Sequence, residues 1–336
     1  MKLKRIILLI IPFFFILSCD DEFKINADWK DVTIVYGLLN PNEVDSVHYI
    51  RINRAYLNEN SNALTLAQIA DSTNYADSLF VRLESYRNGN YQQGGDIPFY
   101  KVSNDHKDTG IFTNADQYLW ASPAQTILDP KNDYKLIITN LVSGKEISSI
   151  TEIVDDVTPV FPRDGLKVTI NPVNDLNIQW LNGENAFFYD ITIEVYYNEY
   201  VRSKPEEKTK KMITWPIVRS LNPKSTEQSE EMKISVPGEN FFELLKDNIE
   251  YDMAMEREFL RMDFIFSAGG EEIYNYINVN KPAIGTVQKK PEYTNIENGL
   301  GVFSSRNQNV ISVKITPFTL LEIQDHEKTL NLNFVR

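Results

Sequence analysis

The chain has 336 residues, 34 basic and 47 acidic side chains, and a formal net charge of −13 at pH 7. So acidic a balance argues against binding nucleic acid or anionic lipid headgroups. One cysteine excludes a disulfide framework, and three dispersed histidines offer no local metal-ligand pair.

Lys2, Lys4 and Arg5 precede an apolar run from Ile6 to Leu17, broken only by Pro12 and followed by Ser18-Cys19-Asp20-Asp21-Glu22. A basic start, a short apolar stretch and a small residue at the cut site predict a secretory signal peptide over residues 1–18, too short to span a bilayer comfortably. The cysteine at that point resembles the bacterial lipobox. The resemblance implies that Cys19 becomes the new N-terminus, with its thiol diacylated and its amine acylated; an ordinary signal peptide with a chance cysteine is the alternative. No later apolar stretch approaches ~18 residues, so attachment to the bilayer would rest on the acyl chains, at about 0.8 kcal/mol per buried methylene. Removing the signal takes the net charge to about −16.

Residues 19–30 read as an acidic tether, and 31–158 as a first β-sandwich. Frequent aromatics, short-spaced Gly, Pro, Asn and Asp, and few amphipathic helix patterns predict an all-β protein. Strands are expected at Thr33–Leu39, at His48–Leu57 (with Tyr49 and Arg51 on one side and Ile50 and Ile52 on the other), at Leu79–Tyr86 and at Ile97–Val102. Ala63–Tyr75 fits a short helix or an ordered loop. Leu128, Pro130 and Tyr134 then lead into strands at Lys135–Thr139 and Glu146–Val154. This spacing resembles the tyrosine corner of fibronectin type III and immunoglobulin-like sandwiches, in which the Tyr hydroxyl bonds back to upstream backbone. A proline-initiated turn is the alternative.

Asp155–Gly165, with two prolines and no periodicity, reads as a linker, placing a boundary near Pro159. A second sandwich is expected over 159–282. Its predicted strands include Leu166–Ile170, Asn177–Leu181 carrying Trp180, and Ala186–Tyr200. In the last of these Tyr189, Ile191, Ile193, Val195 and Tyr197 share one face. A Trp strand followed by a Tyr-initiated alternating strand resembles the B and C strands of a fibronectin type III sandwich, with Trp180 buried between sheets. Arg202–Lys211 reads as the solvated tip of a hairpin returning through Lys211–Leu221. Glu231–Val236 is a further strand. One helical insertion is expected near 241–248, with Phe241, Leu244 and Leu245 at helical spacing, and Arg257–Ser267 and Glu272–Val279 read as a hairpin around Ala268-Gly269-Gly270. Residues 283–336 read as a C-terminal extension on the second sandwich. The fold class expected is thus two tandem Ig-like or fibronectin-like sandwiches with one helix and that extension.

Within the extension, Thr294-Asn295-Ile296-Glu297-Asn298-Gly299-Leu300-Gly301-Val302-Phe303 is an unusual string. With the acidic lipobox, the Trp strand and the inserted helix, it resembles a group of uncharacterised Bacteroidetes lipoproteins, often encoded near TonB-dependent outer-membrane receptors. The resemblance implies an outer-membrane location, with Asp20, Asp21 and Glu22 as a signal for export to the cell exterior; a periplasm-facing anchor is the alternative. It implies an outer-membrane protein partner and supplies no catalytic residue. Physically, Asn298, Gly299 and Gly301 fit a tight turn needing positive φ, with Phe303 anchoring it in a core.

No catalytic or metal-ligating motif emerges. There is no G-x-S-x-G elbow, no H-E-x-x-H and no EF-hand loop, and His48, His106 and His326 are far apart in sequence. Adjacent carboxylates such as Asp155-Asp156 and Glu271-Glu272 suit solvated turns better than a glycosidase pair. A loose calcium site at Asp129 and Asp133 stays open. Tyr196, Tyr197, Tyr200, Tyr274 and Tyr276 are candidate surface aromatics. The expectation is a non-enzymatic, lipid-anchored surface accessory or binding protein without cofactor; direct glycan or peptide capture is the alternative, and a hydrolase comes last.

Overall fold

A computed structural model describes residues 32–42, 47–55, 74–75, 77–103, 118–225, 229–281 and 292–335. The signal segment with Cys19, Asp20, Asp21 and Glu22, and nearly all of Ala63–Tyr75, lie outside them. The described chain is mostly β-sheet. Its first strands are β1 (Val32–Leu39), β2 (Tyr49–Ala55), β3 (Leu79–Arg87), β4 (Asn90–Tyr91), β5 (Ile97–Ser103), β6 (Tyr118–Ala121), β7 (Asp133–Asn140) and β8 (Glu146–Glu152). Next come β9 (Thr158–Phe161), β10 (Lys167–Val168), β11 (Asp175–Leu181), β12 (Phe188–Val201), β13 (Thr209–Leu221) and β14 (Glu231–Pro237). The chain closes with α1 (Glu239–Asn248), β15 (Met255–Gly269), α2 (Glu271–Asn280), β16 (Gly299–Ile315), α3 (Pro317–Asp325) and β17 (Phe334–Val335).

Fourteen strands share one hydrogen-bonded sheet, ordered β13-β12-β15-β16-β1-β2-β6-β5-β3-β7-β8, with β10 on β16, β17 on β15 and β4 on β3. A separate sheet runs β14-β11-β9. Two hydrophobic cores result. One gathers Val35, Ile50, Leu83, Leu136, Ile138 and Phe303. The other gathers Trp180, Tyr189, Ile193, Phe241, Phe264 and Phe266.

The alternation read from 186–200 holds: Tyr189, Ile191, Ile193, Val195 and Tyr197 are all buried. Trp180 projects from the three-stranded sheet onto the facing one, its ring 5.4 Å from Tyr189 and 5.8 Å from Phe266. Burying about 150–250 Å² of aromatic surface there contributes about 4–6 kcal/mol. Its indole N–H is buried with no hydrogen-bond partner. The β12–β13 hairpin bears out the charged tip, where Arg202 pairs with Glu256 and Lys204 with Glu207. Pro216, Lys210 and Lys211 lie on the outermost strand, where missing N–H groups and charges discourage edge pairing.

Four expectations are corrected. The described residues hold three helices, not one insertion. Glu272–Val279 is not a returning strand but part of α2: Gly270 bonds back to Ser305, and Glu271 and Glu272 in the first turn suit the helix dipole. The linker residues around Pro159 form β9, an edge strand opposite Trp180, where proline is tolerated. The expected C-terminal extension supplies β16, which belongs to both cores. Thr33–Leu39 pairs in parallel with Gly299–Ser305, while Met262–Gly269 pairs antiparallel with Arg306–Val313.

Side chains then tie β16 to the segment after β8. Ser305 Oγ accepts from Val154 N–H (3.0 Å) and donates to the Glu152 carbonyl (2.7 Å). Asn307 Nδ2 donates to the Val154 carbonyl (3.2 Å), and Asn309 Nδ2 to that of Val157 (2.9 Å). Ser304, Ser305 and Asn307 are almost fully buried. Ser305, Asn307 and Asn309 supply partners that the extended backbone of 153–157 would otherwise need from a sheet ladder, while Ser304 bonds Glu272 and Ile273 instead.

Candidate functional site

The face of β1 turned away from its core carries Tyr36 and Leu38, while Val35 and Leu39 point inward. Tyr36 lies opposite Arg51 on β2 and Val302 on β16. Tyr49 and Tyr100 each lie opposite Ala121 of β6, so both rings flank that small residue on one face. Exposure is 41% at Tyr36, 52% at Tyr49 and 60% at Tyr100. Leu38 and Leu300 extend the apolar surface.

Helix α2 walls this surface. Ile273 and Tyr276, three residues apart, face a groove of about 450 Å³ shared with Tyr36, Leu38, Tyr49 and Val302. The Tyr36 and Tyr276 rings meet edge to face at 6.1 Å, and their hydroxyls are 3.4 Å apart. That hydrogen bond first, and burial second, push the Tyr36 phenol up to about 12. Arg306 and buried His48 complete the rim; a His48 ring nitrogen lies 3.1 Å from the Thr126 carbonyl oxygen. The groove combines exposed tyrosine rings, aliphatic side chains and hydroxyl groups. That is binding chemistry, for a partner's apolar side chains or for the faces of sugar rings.

The other side of α2 borders an acidic cleft. Glu272 accepts hydrogen bonds from Ser304 Oγ (2.7 Å) and Thr151 Oγ1 (3.0 Å). It lines a cavity of about 250 Å³ with Asp133, Glu152 and Glu271. Burial pushes Glu272, Glu152 and Asp133 above the usual carboxylate range, and neighbouring carboxylates add to the rise at Glu152 and Glu272. Among the described residues no group of three His, Cys, Asp or Glu is placed to hold a metal ion.

The residues singled out by sequence do not converge on one site. Tyr134 accepts the Asp129 N–H at 2.9 Å, the bond a tyrosine corner requires, with Leu128 buried and Pro130 partly buried beside it. Tyr189 makes a second such contact: its hydroxyl accepts the Gly183 N–H (2.9 Å) and donates to Asn182 (2.7 Å), and burial pushes its phenol up to about 12. Asp129 is engaged by Arg87 and by the Lys131 N–H (2.9 Å). Asn298 has a positive φ of 59° and donates to the Glu146 carbonyl, as a turn residue should. Gly299 and Gly301 instead open β16, where a Cβ would lie 2.9 Å from Thr33 O and 2.0 Å from Val35 O respectively. Gly301 has the expected positive φ, at 112°, but within the strand rather than in a turn, and close backbone approach requires both glycines; Phe303 is buried beyond them.

The candidate surface aromatics divide. Tyr197 and Tyr200 are buried. Tyr196 lies between Lys210 and Arg261, 4.6 and 4.2 Å from its ring centre. Tyr276 joins the groove from a helix. Sequence reasoning missed Tyr36 and Tyr100 as parts of one face, because β1 and β5 come together only through β2 and β6.

No family model matches the chain, and no curated protein matches it. Among solved structures, the crystal structure of CBD12 from CALX1.2 aligns at 9% identity over 82% of this chain and 100% of that one, with a TM-score of 0.18. A likeness at that score carries no argument about fold or function.

Proposed function

We propose that this chain is a lipid-anchored, non-catalytic surface protein that binds a protein partner through the Tyr36–Tyr49–Tyr100–Tyr276 face. The observation that carries this reading is the cluster of exposed aromatic and aliphatic side chains on a rigid sheet, with Leu38 and Leu300 adding apolar surface that a sugar would leave unused. Acylation at Cys19 would hold the chain at the outer membrane, facing the exterior, beside an uptake or assembly complex. We read the architecture as two sandwiches sharing β16. The β14-β11-β9 sheet facing β13-β12-β15-β16 supports a fibronectin-like second unit, and the Tyr134 corner supports an Ig-like first one. Four tyrosine rings around one surface favour glycan or peptide capture as the second reading.

The test is affinity capture of the intact lipoprotein from gently solubilised membranes of its host, beside a Tyr49→Ser/Tyr100→Ser variant. Stoichiometric recovery of a membrane protein by the wild type, lost in the variant, supports the accessory reading. Recovery of the same proteins by both removes this face from the account. Recovery of no protein, with glycan binding that the variant loses, moves the account to glycan capture.

A further inference from the structure

The β7–β8 hairpin ends in Leu141 and Val142, which are 65% and 85% exposed. Turn positions favour Gly, Asn, Asp and Ser, whose side chains suit water and tight backbone. An adjacent Leu-Val pair at a tip instead holds apolar surface out from the body of the protein. The backbone beneath that pair is closed on itself. Leu141 N–H donates to the Ser78 carbonyl (2.7 Å), and Gly144 N–H to that of Asn140 (2.8 Å). The Asn140 side-chain oxygen accepts from Val142 N–H (3.0 Å) and Ser143 N–H (3.2 Å), and Ser143 Oγ accepts from Lys145 N–H (3.3 Å). Every N–H from 141 to 145 thus has a partner within the protein, the condition a tip must meet before it can leave bulk water. Residues 140–145 carry a single charged side chain, Lys145, in a chain with 47 acidic residues.

The tip also sits at a defined end of the molecule. Thr33, at the start of β1, pairs with Gly299 and shares a hydroxyl contact with Tyr75 (2.7 Å). Tyr75 leads into β3, whose first residue, Leu79, pairs with Asn140. From the other side, Asn298 donates to the Glu146 carbonyl (3.1 Å) at the foot of the hairpin. Two routes therefore place Leu141 and Val142 beside the point where the chain enters its first strand. Strand β16 starts from this end, and at about 3.3 Å per residue its 17 residues lead up to about 50 Å away, into the second core. Only twelve residues separate Cys19 from Val32, at most ~45 Å of chain.

We propose that the β7–β8 tip is a second membrane contact, with Leu141 and Val142 seated among the headgroups and upper acyl chains of the bilayer that holds the acylated Cys19. This rests on the lipid-anchored reading of the chain and is independent of the aromatic groove. The acyl chains supply the attachment. The tip sets which end of the body meets the bilayer, so that β16 and the second core lead away from it. The contact is apolar, in keeping with an acidic chain that has no charge complementarity to anionic headgroups.

The experiment places an environment-sensitive NBD dye at Val142→Cys in the full acylated lipoprotein, reconstituted in vesicles of phosphatidylethanolamine and phosphatidylglycerol. Cys19 is the chain's only other cysteine and on this reading its thiol is acylated, so the dye labels the introduced residue alone. Val173→Cys, at an 88% exposed valine in the loop before β11, is the control. Vesicle flotation reads the anchor, and dye emission reads the tip. Floated protein should show blue-shifted emission at 142, quenched by lipids spin-labelled near the headgroup, and water-like, unquenched emission at 173. Adding Leu141→Ser should reduce the shift at 142. Flotation with water-like emission at 142, or with equal shifts at 142 and 173, overturns the inference and leaves the anchor standing. Failure to float overturns the anchored reading and the inference with it.

Discussion

Replacing Ser305 by Ala tests whether side chains on β16 stitch the two cores together. The wild-type hydroxyl closes two bonds where the chain leaves β8: it accepts from Val154 N–H and donates to the Glu152 carbonyl. Ser305 and Val154 are both fully buried. Alanine fits the space but leaves the Val154 N–H without an acceptor, at about 1–3 kcal/mol, and removes a donor from the Glu152 carbonyl, at about 1 kcal/mol more. The expected loss is therefore about 2–4 kcal/mol, too large for a surface serine. Urea unfolding should show a lower midpoint at unchanged slope. Ser143→Ala, in the exposed β7–β8 turn, is the control and should shift stability by no more than about 0.5 kcal/mol. A Ser305→Ala loss no larger than the control's would refute the reasoning, because water or backbone adjustment would then be satisfying the buried amide.

Other substitutions bear on the same framework. Gly301→Ala would put a methyl 2.0 Å from the Val35 carbonyl oxygen at φ +112°, so soluble expression should collapse, whereas Gly144→Ala at an open turn should cost only about 1–2 kcal/mol. Tyr189→Phe should cost about 1–3 kcal/mol in unfolding curves, since it breaks two buried hydrogen bonds, to Gly183 N–H and Asn182, and a loss below about 0.5 kcal/mol would contradict this. Glu272→Gln should be more stable than the wild type at pH 7 and converge with it toward pH 4. The folded Glu272 value is raised, so its favourable contribution is present in acid and lost as pH rises through that value. Equal stability of the two proteins at both pH values would contradict the acidic-cleft account.

Much of the strand pattern is legible in the chain because half-buried strands alternate. The run from Phe188 to Val201, and Tyr49 and Arg51 opposing Ile50 and Ile52, read directly from period two. Strand β16 does not, because Ser304, Ser305 and Asn307 occupy core positions where an apolar pattern is expected; the burial of Ser305 and Asn307 is repaid by contacts some 150 residues away, and that of Ser304 by the start of α2. Helix α2 imitates alternation through Tyr274 and Tyr276, yet Ile273, Tyr276 and Ile277 already carry helical spacing after two acidic residues. Pro159 reads as a linker because an edge strand tolerates proline without announcing itself. The aromatic face was the least accessible. Its four tyrosines come from β1, β2, β5 and α2, and no local pattern encodes the sheet order that joins them.

The most direct test of the proposed binding face is photo-crosslinking on intact host cells, with a benzophenone amino acid at position 49 or 100 and, as control, at exposed Val173 far along the chain. The account predicts one discrete membrane-protein adduct from positions 49 and 100 and none from 173. Adducts of equal yield from all three positions, or from 173 alone, would contradict it.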